Sequence, residues 1–167
     1  QLTGNYKGQV NIACEIIDFL NGKNFTKYAN VKQQSATTIS SEKMKFDAIF
    51  TDPPYYNSVP YADLSDFFYV WLRRLLYSSY PDLFSTPLTP KTEEICEMAG
   101  WDSNRYGHKT KEFFEEKLQD AFSEFESILK PNGIVNIVYA HKSTQAWETV
   151  INAILKSGFY LTGSWPI

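Results

Sequence analysis

Apolar positions change period several times along the chain, and each change marks an element. Over residues 8–20 (GQVNIACEIIDFL), Val10, Ile12, Cys14, Ile16, Ile17 and Leu20 fall at spacings that predict a mostly buried helix. Asn21-Gly22 closes it, with glycine suited to the left-handed cap position. A polar connection over 23–28 leads to a weak strand candidate, Ala29–Gln34, and then to a polar turn through Ser35–Ser41. Phe46–Thr51 (FDAIFT) is nearly continuous in apolar character and reads as a strand buried on both faces, the usual state in a parallel sheet. Pro53 and Pro54 stop it, because proline cannot donate to a ladder. Ser65–Leu76 (SDFFYVWLRRLL) reads as an aromatic-rich helix with Ser65 or Asp63 as N-cap, and Phe67, Phe68, Trp71 and Leu72 as its core face.

Residues 77–110 are irregular. Pro81, Pro87 and Pro90 punctuate them, Thr92–Met98 has the length of one or two helical turns, and Gly100–Lys111 is polar and locally basic. An insert this long in a compact domain is usually functional or disordered. Lys111–Leu129 then carries Phe114, Leu118, Ala121, Phe122, Phe125, Ile128 and Leu129 near the 3, 4, 7 pattern of an amphipathic helix. Lys130-Pro131-Asn132-Gly133 ends it. Ile134–Ala140 (IVNIVYA) is a second buried strand, Ala146–Lys156 a further helix closed by Ser157-Gly158, and Phe159–Trp165 a third strand.

Strands alternating with helices predict an α/β domain with a mostly parallel sheet and helices on both faces. Ligands of such sheets sit at the carboxyl ends of the strands. That rule directs attention to Ser35–Thr37, Asp52–Asn57 and His141–Ser143. The length of 167 residues fits one domain, with 77–110 as an insert that contacts the target.

Composition narrows the classes. The net charge of −3 excludes a uniformly basic nucleic-acid coat but permits a local patch. Cys14 and Cys96 have no metal-ligand spacing, so neither a disulfide framework nor a metal site is expected. No apolar run reaches the roughly 18–20 residues of a membrane span, and no signal peptide opens the chain, so a cytoplasmic setting is expected.

Asp52-Pro53-Pro54-Tyr55 follows its strand directly. Chance yields this pattern in roughly one chain of this length in a few hundred, and its place at a strand's carboxyl end lowers that further. An exocyclic amino group on a base is a poor nucleophile because its lone pair is delocalised into the ring. Acceptors aimed at both amino hydrogens favour a tetrahedral nitrogen with a freed lone pair. The Asp52 carboxylate and the Pro53 carbonyl supply two such acceptors. Tyr55 offers a face for an extruded base, a stack worth about 1–3 kcal/mol. The bland alternative is a plain strand-ending turn, since Asp and Pro favour turns.

Other residues divide between two readings. Tyr56 and Asn57 either line the base pocket or, for Tyr56, cover the sheet edge. Asp63 and Asp66 either cap the aromatic helix or touch a ligand. His141 and Lys142 leave the second clear strand at its functional rim, where His141 would orient substrate and Lys142 would meet a phosphate or stay solvated. Arg105, Lys109 and Lys111, with Trp101 and Tyr106, form a basic and aromatic mixture that suits DNA contacts, or else a solvated loop. Arg73 and Arg74 are a weaker version of the same idea. His108 has no spaced metal partner and reads as surface.

The residues Asp52–Tyr55 match the motif of amino-methyltransferases that use S-adenosylmethionine. The longer run FDAIFTDPPYYNSVPYADLSDFFYVWLRR (Phe46–Arg74) resembles the adenine-specific DNA methylase family whose members also carry a zinc-ribbon region. Tyr80–Ile95, Leu129–Thr149 and Gly163–Ile167 look like the same family. This resemblance implies a partial Rossmann-like methyltransferase fold and transfer to the N6 amino group of adenine in DNA. It places the catalytic motif on Asp52, Pro53, Pro54 and Tyr55, and cofactor contacts on Ser35, Ala36, Thr37 and Asp52. The substrate contacts expected are Tyr55, Tyr56, Asn57, His141, Lys142, Arg105 and Lys109. The glycine-rich cofactor loop, the acidic ribose-binding residue and the zinc-ribbon cysteines of that family do not occur here. The chain is therefore expected to be the C-terminal portion of a longer protein, with an exposed sheet edge that invites a homodimer. Other amino acceptors (RNA guanine, cytosine N4, protein glutamine) and a non-catalytic nucleic-acid-binding fragment stand as alternatives.

Overall fold

The computed structural model describes residues 5–23, 32–39 and 45–165. It contains two compact units, Gln1–Lys32 and Gln33–Ile167. In the first, helix α1 (Tyr6–Asn21) is capped by Asn5, whose side chain accepts from the Gly8 amide at 2.7 Å. None of its residues is buried, contrary to the expected buried helix. α1 is the one helix among the described residues of that unit, and a lone helix has no second apolar face to bury its stripe against.

In the second unit the order is β1 (Phe46–Thr51), α2 (Tyr61–Leu76), a 3-10 turn (Asp82–Phe84), α3 (Ser103–Tyr106), α4 (Lys111–Ile128), β2 (Leu129–Ile137) and α5 (Thr144–Lys156). This is an α/β arrangement around a parallel pair, β1 beside β2, with Thr51 opposite Ile137. Of the weak strand candidate, residues 29–31 lie outside the described residues and 32–34 are not strand. The pairing slips between Phe46 and Ala48, where Lys130–Gly133 bulges out before Ile134 resumes the ladder. Glycine is required there: a Cβ on Gly133 would come within 3.2 Å of the Asp47 carbonyl and 2.7 Å of the Leu129 side chain.

Helix α4 forms where its period predicts. Thr110 caps it through the Phe113 amide, and Phe114, Leu118, Ala121, Phe122, Phe125 and Ile128 are its buried stripe. That stripe meets Ala146, Val150, Ala153 and Ile154 of α5, and the pair covers Ile49, Val135 and Ile137 of the sheet. Each fully buried large side chain contributes about 1.5–3 kcal/mol, so this layer is the main source of cohesion. The sheet's other face stays open: Phe50 is 75% exposed and Ile134 62%. The helical cover expected on both faces is thus present on one.

Helix α2 begins at Tyr61, four residues before the expected Ser65. Its cap comes from 32 residues away, where the Glu94 carboxylate accepts from the Ala62 amide at 2.8 Å. Tyr69 and Arg73 bond to the backbone of Thr86 and Phe84 in the insert. The insert therefore takes the polar side of α2, and Phe67, Phe68, Trp71 and Leu72 are exposed rather than core. Within the insert, Thr92–Met98 forms no helix. Cys96, Met98 and Tyr106 make a small buried cluster of their own.

The expected third strand, Phe159–Trp165, is not strand. Helix α5 ends on Gly158 at φ +88°, with the Phe159 amide donating to Ile154, a left-handed close that redirects the chain. Residues 159–163 then line a cavity of about 750 Å³ together with Ile134, Val135 and Ile137 of β2 instead of pairing with that strand. No helix among the described residues is long and apolar enough to cross a membrane.

Candidate active site

The parallel ladder sends the ends of both strands to one place. The last rung is the Val138 amide donating to the Thr51 carbonyl at 2.9 Å. Asp52 and Tyr139 therefore leave neighbouring strands at the shared carboxyl end, the position at which open sheets bind ligands. Pro53 and Pro54 remove two donors, so β1 cannot continue. Pro53 is buried and anchors the turn, while the Asp52 side chain is exposed. Among the described residues, no N–H or hydroxyl donates to the Pro53 carbonyl.

The chain then turns tightly. The Tyr56 amide donates to Pro54 at 3.0 Å and the Ser58 amide to Tyr55 at 2.9 Å. Tyr56 itself has φ +50°, uncommon for a bulky side chain and a store of roughly 1–3 kcal/mol of strain. Three contacts hold it there: its ring meets Phe114 edge-on at 5.1 Å and His141 at 5.9 Å, and its carbonyl accepts from Glu97 at 3.2 Å. Tyr56 is therefore a buried anchor of the turn, packed into the core beside the motif. The strain sits in the segment that aims Asp52 and Tyr55.

Tyr55 is half-buried and meets Tyr139 edge-on at 5.5 Å. The nearby Asp52 carboxylate, then desolvation, raise its phenol above the ordinary value. Tyr61 is raised as well, chiefly by desolvation. Tyr139 is pushed up to about 12, by burial first and then by the neighbouring phenols of Tyr56, Tyr61 and Tyr55. These tyrosines stay protonated at neutral pH.

His141 stacks on Tyr139 at 6.5 Å. Its Nδ1 accepts from the Ser143 amide at 3.0 Å, and its carbonyl accepts from the Trp147 indole at 3.0 Å. This fixes the ring at the rim, as the strand-exit position predicts. Asn57 and Lys142 are exposed beside it. Ser35 and Thr37 share a hydrogen bond at 2.9 Å across their turn, and Ala36 packs against the same α4/α5 core as Tyr55 and Tyr56.

The insert departs from expectation. Lys109 is fully buried, with its Nζ 3.3 Å from Glu94 Oε2 and 5.3 Å from the Tyr106 ring centroid. It has no route to a DNA phosphate, and its expected substrate role is corrected to a structural one. Arg105 is exposed but paired with Asp63 at 3.3 Å, and Tyr106 donates to the same Asp63 at 2.6 Å. Neither Asp63 nor Asp66 caps α2. They tether the insert to α2, Asp66 through Thr89 and through Lys91 at 2.7 Å. His108 is exposed, as expected.

Sequence reasoning passed over Tyr139 and Tyr61. Tyr139 was counted within an apolar strand, although a tyrosine in such a run must find a partner for its hydroxyl. The 750 Å³ cavity is lined by none of the motif residues. Among the described residues, no cluster of three or more His, Cys, Asp or Glu is placed to hold a metal ion. In comparisons with family models, curated proteins and solved structures, none matches this chain.

Proposed function

We propose that this chain carries the amino-activating half of a methyltransferase that acts on adenine N6 in DNA with the base swung out of the duplex. The observation that supports it is an exposed Asp52 carboxylate next to a Pro53 carbonyl to which nothing donates among the described residues, at the shared end of a parallel pair, with Tyr55 two residues on. Two acceptors in fixed relation suit the two hydrogens of one amino group. Holding both draws the nitrogen toward a tetrahedral shape and frees its lone pair. Positioning and electrostatics are then most of the chemistry asked of these residues.

S-adenosylmethionine supplies the activated methyl group when bound. An exposed carboxylate suits both a sulfonium-bearing donor and a base amino group, and the residues that would hold the donor are Asp52 with the turn Ser35, Ala36 and Thr37. Tyr55 stacks the base, His141 orients it, and Asn57 and Lys142 at the rim meet the strand that carries it. Arg105 reaches DNA only by exchanging Asp63 for a phosphate.

The test is label transfer from S-adenosylmethionine to DNA, RNA and protein by the full-length protein, with Asp52→Ala as control. Transfer to adenine in DNA that disappears in Asp52→Ala, with the unfolding midpoint unchanged, supports the reading. Label in RNA alone, or full turnover by the variant, rejects it.

A further inference from the structure

One polar atom at this site has no job in the folded protein. The Tyr139 hydroxyl is buried and bonds to no other group among the described residues, on a side chain 8% exposed. Its ring is held on three sides: Tyr55 edge-on at 5.5 Å, Trp147 edge-on at 5.1 Å and His141 stacked. A buried hydroxyl without a partner destabilises a fold, and phenylalanine would fill the same space without that cost. Folding therefore gives no reason for the oxygen.

The surroundings say what would use it. Asp52, the acceptor, leaves β1 one residue past the Thr51–Ile137 pair, and Tyr139, the donor, leaves β2 two residues past it. Tyr55, in the turn that Asp52 opens, sets its ring against Tyr139. An acceptor and a donor on neighbouring strand ends complement an amino group next to a ring nitrogen. Adenine shows that pair on either side of N6, with N1 or N7 as the acceptor.

We propose that the Tyr139 hydroxyl is a base-reading group: it donates to the adenine ring nitrogen adjacent to the amino group that Asp52 accepts. The amino group bonds to the exposed Asp52 carboxylate. Tyr55 then leaves the edge of Tyr139 to stack on the base, which uncovers the Tyr139 hydroxyl at the moment its acceptor arrives. This inference rests on the function proposed above and adds a specificity residue to it.

The experiment compares wild type with Tyr139→Phe in the full-length protein, on DNA whose target is adenine, 1-deazaadenine or 7-deazaadenine. Tyr139→Phe is expected to keep or raise the melting temperature, since no protein bond is lost. Its kcat/KM on adenine falls roughly tenfold to a hundredfold, the cost of an unmade buried hydrogen bond. On one of the two deaza substrates, wild type falls to the level of the variant and the substitution adds no further loss. Equal activity of wild type and Tyr139→Phe on adenine overturns the inference alone. So does a lowered melting temperature with the same proportional loss on all three substrates, which marks a structural role. A wild type that transfers no label to any DNA overturns the functional reading itself, and this inference with it.

Discussion

Lys109 is where the polar pattern of the chain and its packing disagree most sharply, and Lys109→Met separates them. The ammonium group is fully buried and sits 3.3 Å from Glu94 Oε2, while Glu94 Oε1 accepts from the Ala62 amide at the start of α2. Removing one partner of a buried pair strands the other charge, at a cost of roughly 3–5 kcal/mol. Glu94 keeps the Ala62 amide and is 11% exposed at its side chain, so the low end, about 3 kcal/mol, applies here. With a urea slope of about 2 kcal/mol per molar, the unfolding midpoint drops by about 1.5 M. The double variant Glu94→Gln/Lys109→Met removes the stranded charge and recovers most of that loss. Urea unfolding followed by tryptophan fluorescence measures both. A surface lysine that contacts DNA gives the opposite pattern: an unchanged midpoint and a salt slope of DNA binding reduced by about one. That outcome would refute the structural assignment of Lys109 and the tethering role of the insert.

Two further outcomes follow from the same insert. Burial opposes ionisation of Asp66, but bonds from Lys91 and Thr89 outweigh it and hold the carboxyl at about 2, below its ordinary 3.8. Its contribution is complete above pH 3.8 and is lost as pH falls toward 2, so Asp66→Asn should flatten the acid limb of a stability-against-pH curve in that window only; an unchanged limb contradicts the assignment. Cys96 is buried, and desolvation, then the Glu94 charge, raise its thiol to about 12, whereas Cys14 is exposed. A thiol reagent at pH 8 should therefore modify one cysteine in the native protein and two in urea, and rapid labelling of Cys96 in native buffer would show that the insert opens.

What the chain specifies locally is legible in its sequence. The stripe Phe114–Ile128 forms α4 and is buried as its period predicts, because a helix displays residues three and four apart on one face whatever surrounds it. Phe46–Thr51 ends at Pro53 because proline has no N–H to give, and the Asp52 turn lies at a strand's carboxyl end for that reason alone. Which surfaces meet is another matter. The apolar run of β1 did not reveal that one face of the sheet lies open, and the aromatic face of α2 did not reveal that the insert would take the opposite side. The cap of α2 at Glu94, the burial of Lys109 and the tethers at Asp63 and Asp66 join residues 15 to 43 positions apart. Such pairings leave no period in the sequence. Tyr139 reads as one more apolar strand residue until the parallel register sets it beside Tyr55 with an unbonded hydroxyl. The sequence alone determined the course of α4 and the stop of β1. Tertiary structure alone decided which charged side chains are buried and that Tyr139 lies against Tyr55, because burial and ring contacts depend on long-range packing that local propensity does not encode.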